Sequence, residues 1–64
     1  MSNQPSLIRL PEVERRVGLR RSQIRKMEAL GRFPRKVRIT RGAVAWVESE
    51  VSDFIVKRMQ ERGQ

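Results

Sequence analysis

The sequence predicts one small, mainly α-helical domain carrying a single β-hairpin. Three observations lead there. Two short helical stretches each run into a glycine, Gly18 and Gly31. Between Val37 and Trp46, apolar residues alternate with basic ones around Thr40-Arg41-Gly42. Finally, Val51, Phe54, Ile55 and Met59 have the i, i+3, i+4, i+8 spacing of an amphipathic helix.

Each element has a local reason. Leu7-Ile8-Arg9-Leu10 reads as a short strand that ends at Leu10, because a residue before proline is pushed away from helical angles. Pro11 suits the first helical position, where no amide donor is needed. Glu12 and Glu14 favour the positive end of that helix. Val13 and Val17 share its inner face, and Gly18 stops it, so the first helix is Pro11 to Val17. A second helix, Arg21 to Leu30, turns Ile24, Met27 and Leu30 inward and Arg21, Ser22, Arg25, Lys26 and Ala29 outward. Gly31 and Phe33-Pro34 break it, with Phe33 plugging the core.

The hairpin covers Val37 to Trp46. Val37 and Ile39 point inward, Lys36 and Arg38 outward, and Gly42 is available for a positive φ at the turn. Val44 and Trp46 resume the alternation, which makes Trp46 a core residue rather than a base-stacking one. In the last helix Ser49 is the candidate cap, Glu50 and Asp53 sit early, and Lys57, Arg58 and Arg62 sit late, all in keeping with the helix dipole. Val47 and Val56 fall outside its apolar stripe and form the candidate contact surface for a second chain. Residues 6–61 form the domain, with 1–5 and 62–64 frayed. The element order, β-α-turn-α-β-β-α, is that of a winged helix-turn-helix.

Composition narrows the function. The chain has no His, Cys or Tyr, so Ser-His dyads, thiol nucleophiles, disulfides and ordinary zinc sites are excluded. Sixty-four residues with 38% hydrophobic content suffice for one modest core, not for a core and a deep water-excluded pocket. The expectation is a protein that is not an enzyme and has no cofactor, metal or small-molecule ligand. No apolar run approaches the roughly 20 residues of a membrane span. The start of the chain lacks the basic and apolar regions of a signal peptide. A cytoplasmic protein with no membrane partner is the expectation.

Charge points to the partner. The net charge is +8, but it is not spread evenly. From Arg15 to Arg41 there are 11 of the 15 basic residues and one acid, Glu28, while the remainder is slightly acidic. Such a block suits a polyanion, because phosphate neutralisation releases counterions. In a helix-turn-helix the second helix enters the major groove with its early residues at base edges. Here those are Arg20, Arg21, Ser22 and Gln23, followed by Arg25 and Lys26. Arg21, Ser22, Gln23 and Arg25 are the candidate base readers, since Arg grips guanine through two hydrogen bonds and Ser or Gln reads other edges. Lys26, Arg35, Lys36 and Arg38 are candidate phosphate contacts, with Thr40 and Arg41 at the wing tip on backbone or minor groove. Arg15 and Arg16 either reach phosphates or stay in water; the sequence leaves both open.

The blocks Leu7-Ile8-Arg9-Leu10-Pro11-Glu12-Val13, Gly18-Leu19-Arg20-Arg21-Ser22-Gln23-Ile24, Gly31-Arg32-Phe33-Pro34 and Ala43-Val44-Ala45-Trp46-Val47-Glu48-Ser49-Glu50-Val51 resemble, in that order, the AlpA family of prophage regulators. That family sits with the phage excisionases in the wider MerR-like winged-helix group. The resemblance runs from Leu7 to Met59 and implies a winged-helix DNA binder that regulates integrase genes, directs recombination, or does both. Its implied partners are double-stranded DNA and an integrase, or further copies of itself on tandem sites. Arg20 stands where the family usually has a Ser or Thr cap. Its side chain cannot accept the amide hydrogen bond, a loss typically worth ~1 kcal/mol. Arg25 stands near a usual aromatic and makes the reader more electrostatic. Two further readings use the same basic surface. One is an inhibitor docking on an acidic protein. The other is an RNA binder, for which the exposed aromatics that stack unpaired bases are missing.

Overall fold

The computed structural model describes residues 5–62. In chain order the elements are β1 (Leu7–Ile8), α1 (Leu10–Val17), α2 (Arg21–Ala29), β2 (Val37–Thr40), β3 (Ala43–Val47) and α3 (Glu48–Glu61). Three helices and a small antiparallel sheet form a winged helix-turn-helix. Of the segments expected to fray, residues 1–4 and 63–64 lie outside the described residues.

The helix-turn-helix is set by its glycines. Gly18 adopts φ 74° and donates its N–H to the Glu14 carbonyl at 2.9 Å, closing α1 in the left-handed conformation that glycine adopts without strain. Gly31 repeats this after α2. Its N–H bonds the Glu28 carbonyl at 3.0 Å and the Arg32 N–H bonds the Met27 carbonyl at 2.8 Å, the paired bonds of a Schellman stop. Both stops fall where the sequence puts them.

Several details differ from the sequence reading. Leu10 is not the end of a strand. It opens α1, with Arg9 as the extended cap residue (φ −88°, ψ 168°), and its side chain packs against the core. Burial of Leu10 outweighs the pre-proline bias. Leu30 is the cap of α2 rather than its last inward residue, and is 60% exposed. Ser49 does not cap α3. β3 runs directly into that helix through Val47, and the Glu48 N–H is taken by the Ser6 carbonyl at 2.7 Å. Gly42 does not use a positive φ; among the described residues only Gly18 and Gly31 do. The wing turn is braced instead by the Gly42 N–H donating to Thr40 Oγ1 at 3.3 Å.

The sheet has the order β1-β3-β2, so the hairpin gains a third strand. Leu7 pairs with Val47 and Ile8 with Trp46; on the other side Val37 pairs with Ala45, Arg38 with Val44 and Thr40 with Ala43. The register slips between Arg38 and Thr40, leaving Ile39 at a bulge. Against expectation, Val37 and Ile39 do not face a covered interior: all four residues of β2 are exposed. The wing projects from the body, and its inner face stays open to solvent.

The core is formed by Val13, Ile24, Phe33, Trp46 and Val51, one residue from each helix, one from the α2–β2 loop and one from β3. Met59, assigned to the α3 stripe, lies beyond it and is half-exposed. Phe33 meets Phe54 edge-on at 4.7 Å, and the Arg58 guanidinium lies 5.1 Å from the Phe54 ring centre. Trp46 is buried, and its Nε1–H donates to the Pro34 carbonyl at 3.1 Å. Phe33 and Trp46 thus hold the loop between α2 and β2 from the inside.

Candidate nucleic-acid interface

The outward face of α2 follows from burying its inward one. Ile24 is 1% exposed and Met27 half-buried, so at 100° per residue Arg21, Ser22, Arg25 and Lys26 must lie toward solvent. All four are exposed, as are Arg20 and Gln23 at the helix start. Arg35 and Lys36 are exposed on the loop, Arg38 and Thr40 on β2, and Arg41 at the turn. Every candidate residue is therefore at the surface.

Three of them already have protein partners. Gln23 Oε1 accepts the Arg20 backbone N–H at 2.9 Å. This is half of a capping box, and it satisfies the backbone at the position where the Arg20 side chain has no acceptor to offer. Thr40 braces the wing turn through its hydroxyl. Lys36 donates twice to Glu28: its backbone N–H to Oε2 at 2.6 Å and its Nζ to Oε1 at 3.0 Å. The Glu28 side chain is only 9% exposed. The single acid of the basic block is thus tucked away, joining the end of α2 to the residue before β2. Sequence reasoning gave Glu28 no role beyond being the one acid of the basic block. The signal for it was its solitude: one carboxylate among eleven cations.

Arg15 and Arg16, left open by the sequence, are both drawn to Glu12. Arg15 donates through Nε at 3.0 Å and Arg16 through Nε at 2.7 Å, and Arg16 also reaches Glu48 at 2.9 Å. Hydrogen bonds from Arg15 first and Arg16 second lower the Glu12 pKa from 4.5 to about 2. Arg16 thereby ties α1 to the start of α3, whereas the Arg15–Glu12 pair stays within α1.

On the far side of the loop, an open groove of about 1210 Å³ runs between the loop, β2 and α3. Phe33, Val37, Val47, Phe54 and Val56 supply its apolar parts, and Glu50 and Asp53 line it from α3. Arg35 and Lys36, two of the candidate phosphate contacts, also line it, together with Arg32, Lys57 and Arg58. No helix among the described residues is long and apolar enough to cross a membrane.

A family model described as "Prophage CP4-57 regulatory protein (AlpA)" matches residues 6–59. A protein of Enterobacteria phage P4, described as "Uncharacterized protein ORF88", is 37% identical over 59 residues, which is 92% of this chain and 67% of the relative.

Proposed function

From the premise that this chain belongs to the AlpA family of prophage regulatory proteins, we propose that it binds double-stranded DNA sequence-specifically and regulates transcription for a prophage or mobile element. The observation that carries this is the two-sidedness of α2. Ile24 is sealed in the core, while Arg21, Ser22, Arg25 and Lys26 stand exposed with no acid among them. A helix so built, second in a helix-turn-helix, suits the major groove.

In that arrangement Arg21, Ser22, Gln23 and Arg25 face base edges, with Arg20 beside them at the helix start. Lys26, Arg35 and Arg38 neutralise phosphates, and Arg41 with Thr40 brings the wing tip to backbone or minor groove. Gln23 is restricted by its capping bond. Its carbonyl oxygen accepts the Arg20 amide, which orients the side chain and leaves the NH2 and the oxygen's second lone pair for a base edge.

The test is footprinting on the DNA flanking the gene, followed by base-by-base substitution of the protected site. Arg25→Ala should lose ~1–3 kcal/mol of discrimination at one base position, whereas Lys26→Ala should weaken binding evenly across sequences. Equal loss on every sequence for Arg25→Ala overturns the base-reading role. Strong bending with cooperative loading on repeated sites would move the reading from promoter control to an excisionase-like architectural role.

A further inference from the structure

The wing leaves the domain at Lys36, and what fixes its direction is visible there. β2 pairs with β3, yet all of its residues are exposed. Upstream, the loop is anchored by the buried Phe33 ring and by the Pro34 carbonyl on Trp46. Beyond Pro34, the bond that returns the chain to α2 is the Lys36 N–H to Glu28 Oε2, at 2.6 Å. The other carboxylate oxygen holds the Lys36 ammonium at 3.0 Å.

An acid on a DNA-binding surface opposes binding through its charge. Here that charge is covered, its side chain 9% exposed and both oxygens occupied. Resting on the DNA-binding reading, we infer that Glu28 is a positioning residue that sets the wing against the recognition helix, and that Lys36 is its internal counter-ion rather than a phosphate contact. Glu28 touches no base or phosphate. It acts through the Lys36 backbone, one residue before the wing begins, and so determines whether α2 and the wing fit the same stretch of duplex together.

Two substitutions separate this role from simple charge repulsion. Glu28→Gln removes the charge but keeps an oxygen for the Lys36 amide; Glu28→Ala removes both. Each is measured by anisotropy on the footprinted site and on an unrelated duplex, at a temperature where circular dichroism shows the variant folded. Positioning predicts that Glu28→Ala loses about tenfold in preference for the site, the equivalent of one base contact, while Glu28→Gln keeps it. Relief of repulsion predicts equal tightening by both variants on both duplexes, and that result overturns the inference. Unchanged preference in folded Glu28→Ala also overturns it.

Lys36→Ala supplies an independent arm. An internal counter-ion leaves the slope of log affinity against log salt unchanged, whereas a lost phosphate contact reduces it by about 0.9; the latter overturns that half of the inference. If the wild-type protein shows no preference among duplexes, the DNA-binding reading fails, and the brace is then judged without DNA. Lys36 amide exchange and wing-to-α2 dipolar couplings by NMR should loosen in Glu28→Ala and persist in Glu28→Gln. No change in Glu28→Ala overturns the brace itself.

Discussion

Replacing Trp46 with Phe probes how the interior holds the loop that carries the wing. The indole is 4% exposed and donates to the Pro34 carbonyl at 3.1 Å. Loss of that neutral hydrogen bond costs about 1 kcal/mol, at the low end because Pro34 is half-exposed and water can replace the donor. The smaller ring leaves a gap of roughly 40 Å³, which at about 24 cal/mol per Å³ adds about 1 kcal/mol. The sum, about 2 kcal/mol, is a large share of the roughly 3–5 kcal/mol available to a domain this small. At about 4–8 °C per kcal/mol, the melting temperature should fall by roughly 8–16 °C. Trp46 is the sole tryptophan, so the variant has no indole fluorescence to follow and unfolding is read by far-ultraviolet circular dichroism. A Trp46→Phe protein as stable as wild type, within about 0.5 kcal/mol, would refute both the anchoring bond and the tight packing inferred around it.

Four phosphate contacts, from Lys26, Arg35, Arg38 and Arg41, predict a log–log salt slope of about −3.6 and an affinity about 150-fold lower at 200 mM than at 50 mM salt. A titration giving a slope shallower than about −1 removes them as a group. Gly18→Ala should destabilise by about 1 kcal/mol, because alanine is strained at φ 74°. Gly42→Ala, where an added methyl meets nothing within 4 Å and φ is not positive, should be close to neutral by thermal unfolding. Glu12 has its pKa lowered from 4.5 to about 2 in the folded state. Its ion pairs therefore stabilise fully above about pH 4.5, and that contribution fades as pH falls toward 2. The stability gap between wild type and Glu12→Gln, followed by urea unfolding, should close over that interval; a gap that widens on acidification contradicts the pairing.

Most of the element order was legible because its signals are local. Gly18 and Gly31 mark their stops through backbone conformations that glycine adopts without strain, and Pro11 marks the first turn of α1. The inward positions of Val13, Ile24, Trp46 and Val51 follow from helix and strand periods alone. What escaped depends on residues far apart in the chain. Nothing near Leu7 announces Val47 as its partner, and nothing near Glu48 shows that the Ser6 carbonyl will satisfy its amide and make a Ser49 cap unnecessary. Periodicity also overreached at element ends. Leu30 and Met59 fit their stripes, yet the core is too small to cover them. Among the candidate interface residues, the exposed cations were readable from the α2 face. The bonds of Gln23 to Arg20 and of Lys36 to Glu28 were not, because a polar side chain's partner is fixed by geometry, not by composition.

The two-residue strand at the start of the domain has a cost in folding time. The helices and the β2–β3 hairpin assemble from neighbours, but Leu7 must find Val47 after nearly the whole domain has been made. Such a distant closure suits a late folding step. Until it happens, the middle strand is a bare edge, with unpaired backbone groups able to recruit another chain. The adhesive side of a half-folded molecule would then be β3, and a clipped or masked amino-terminal segment should reveal itself as aggregation before any loss of helix.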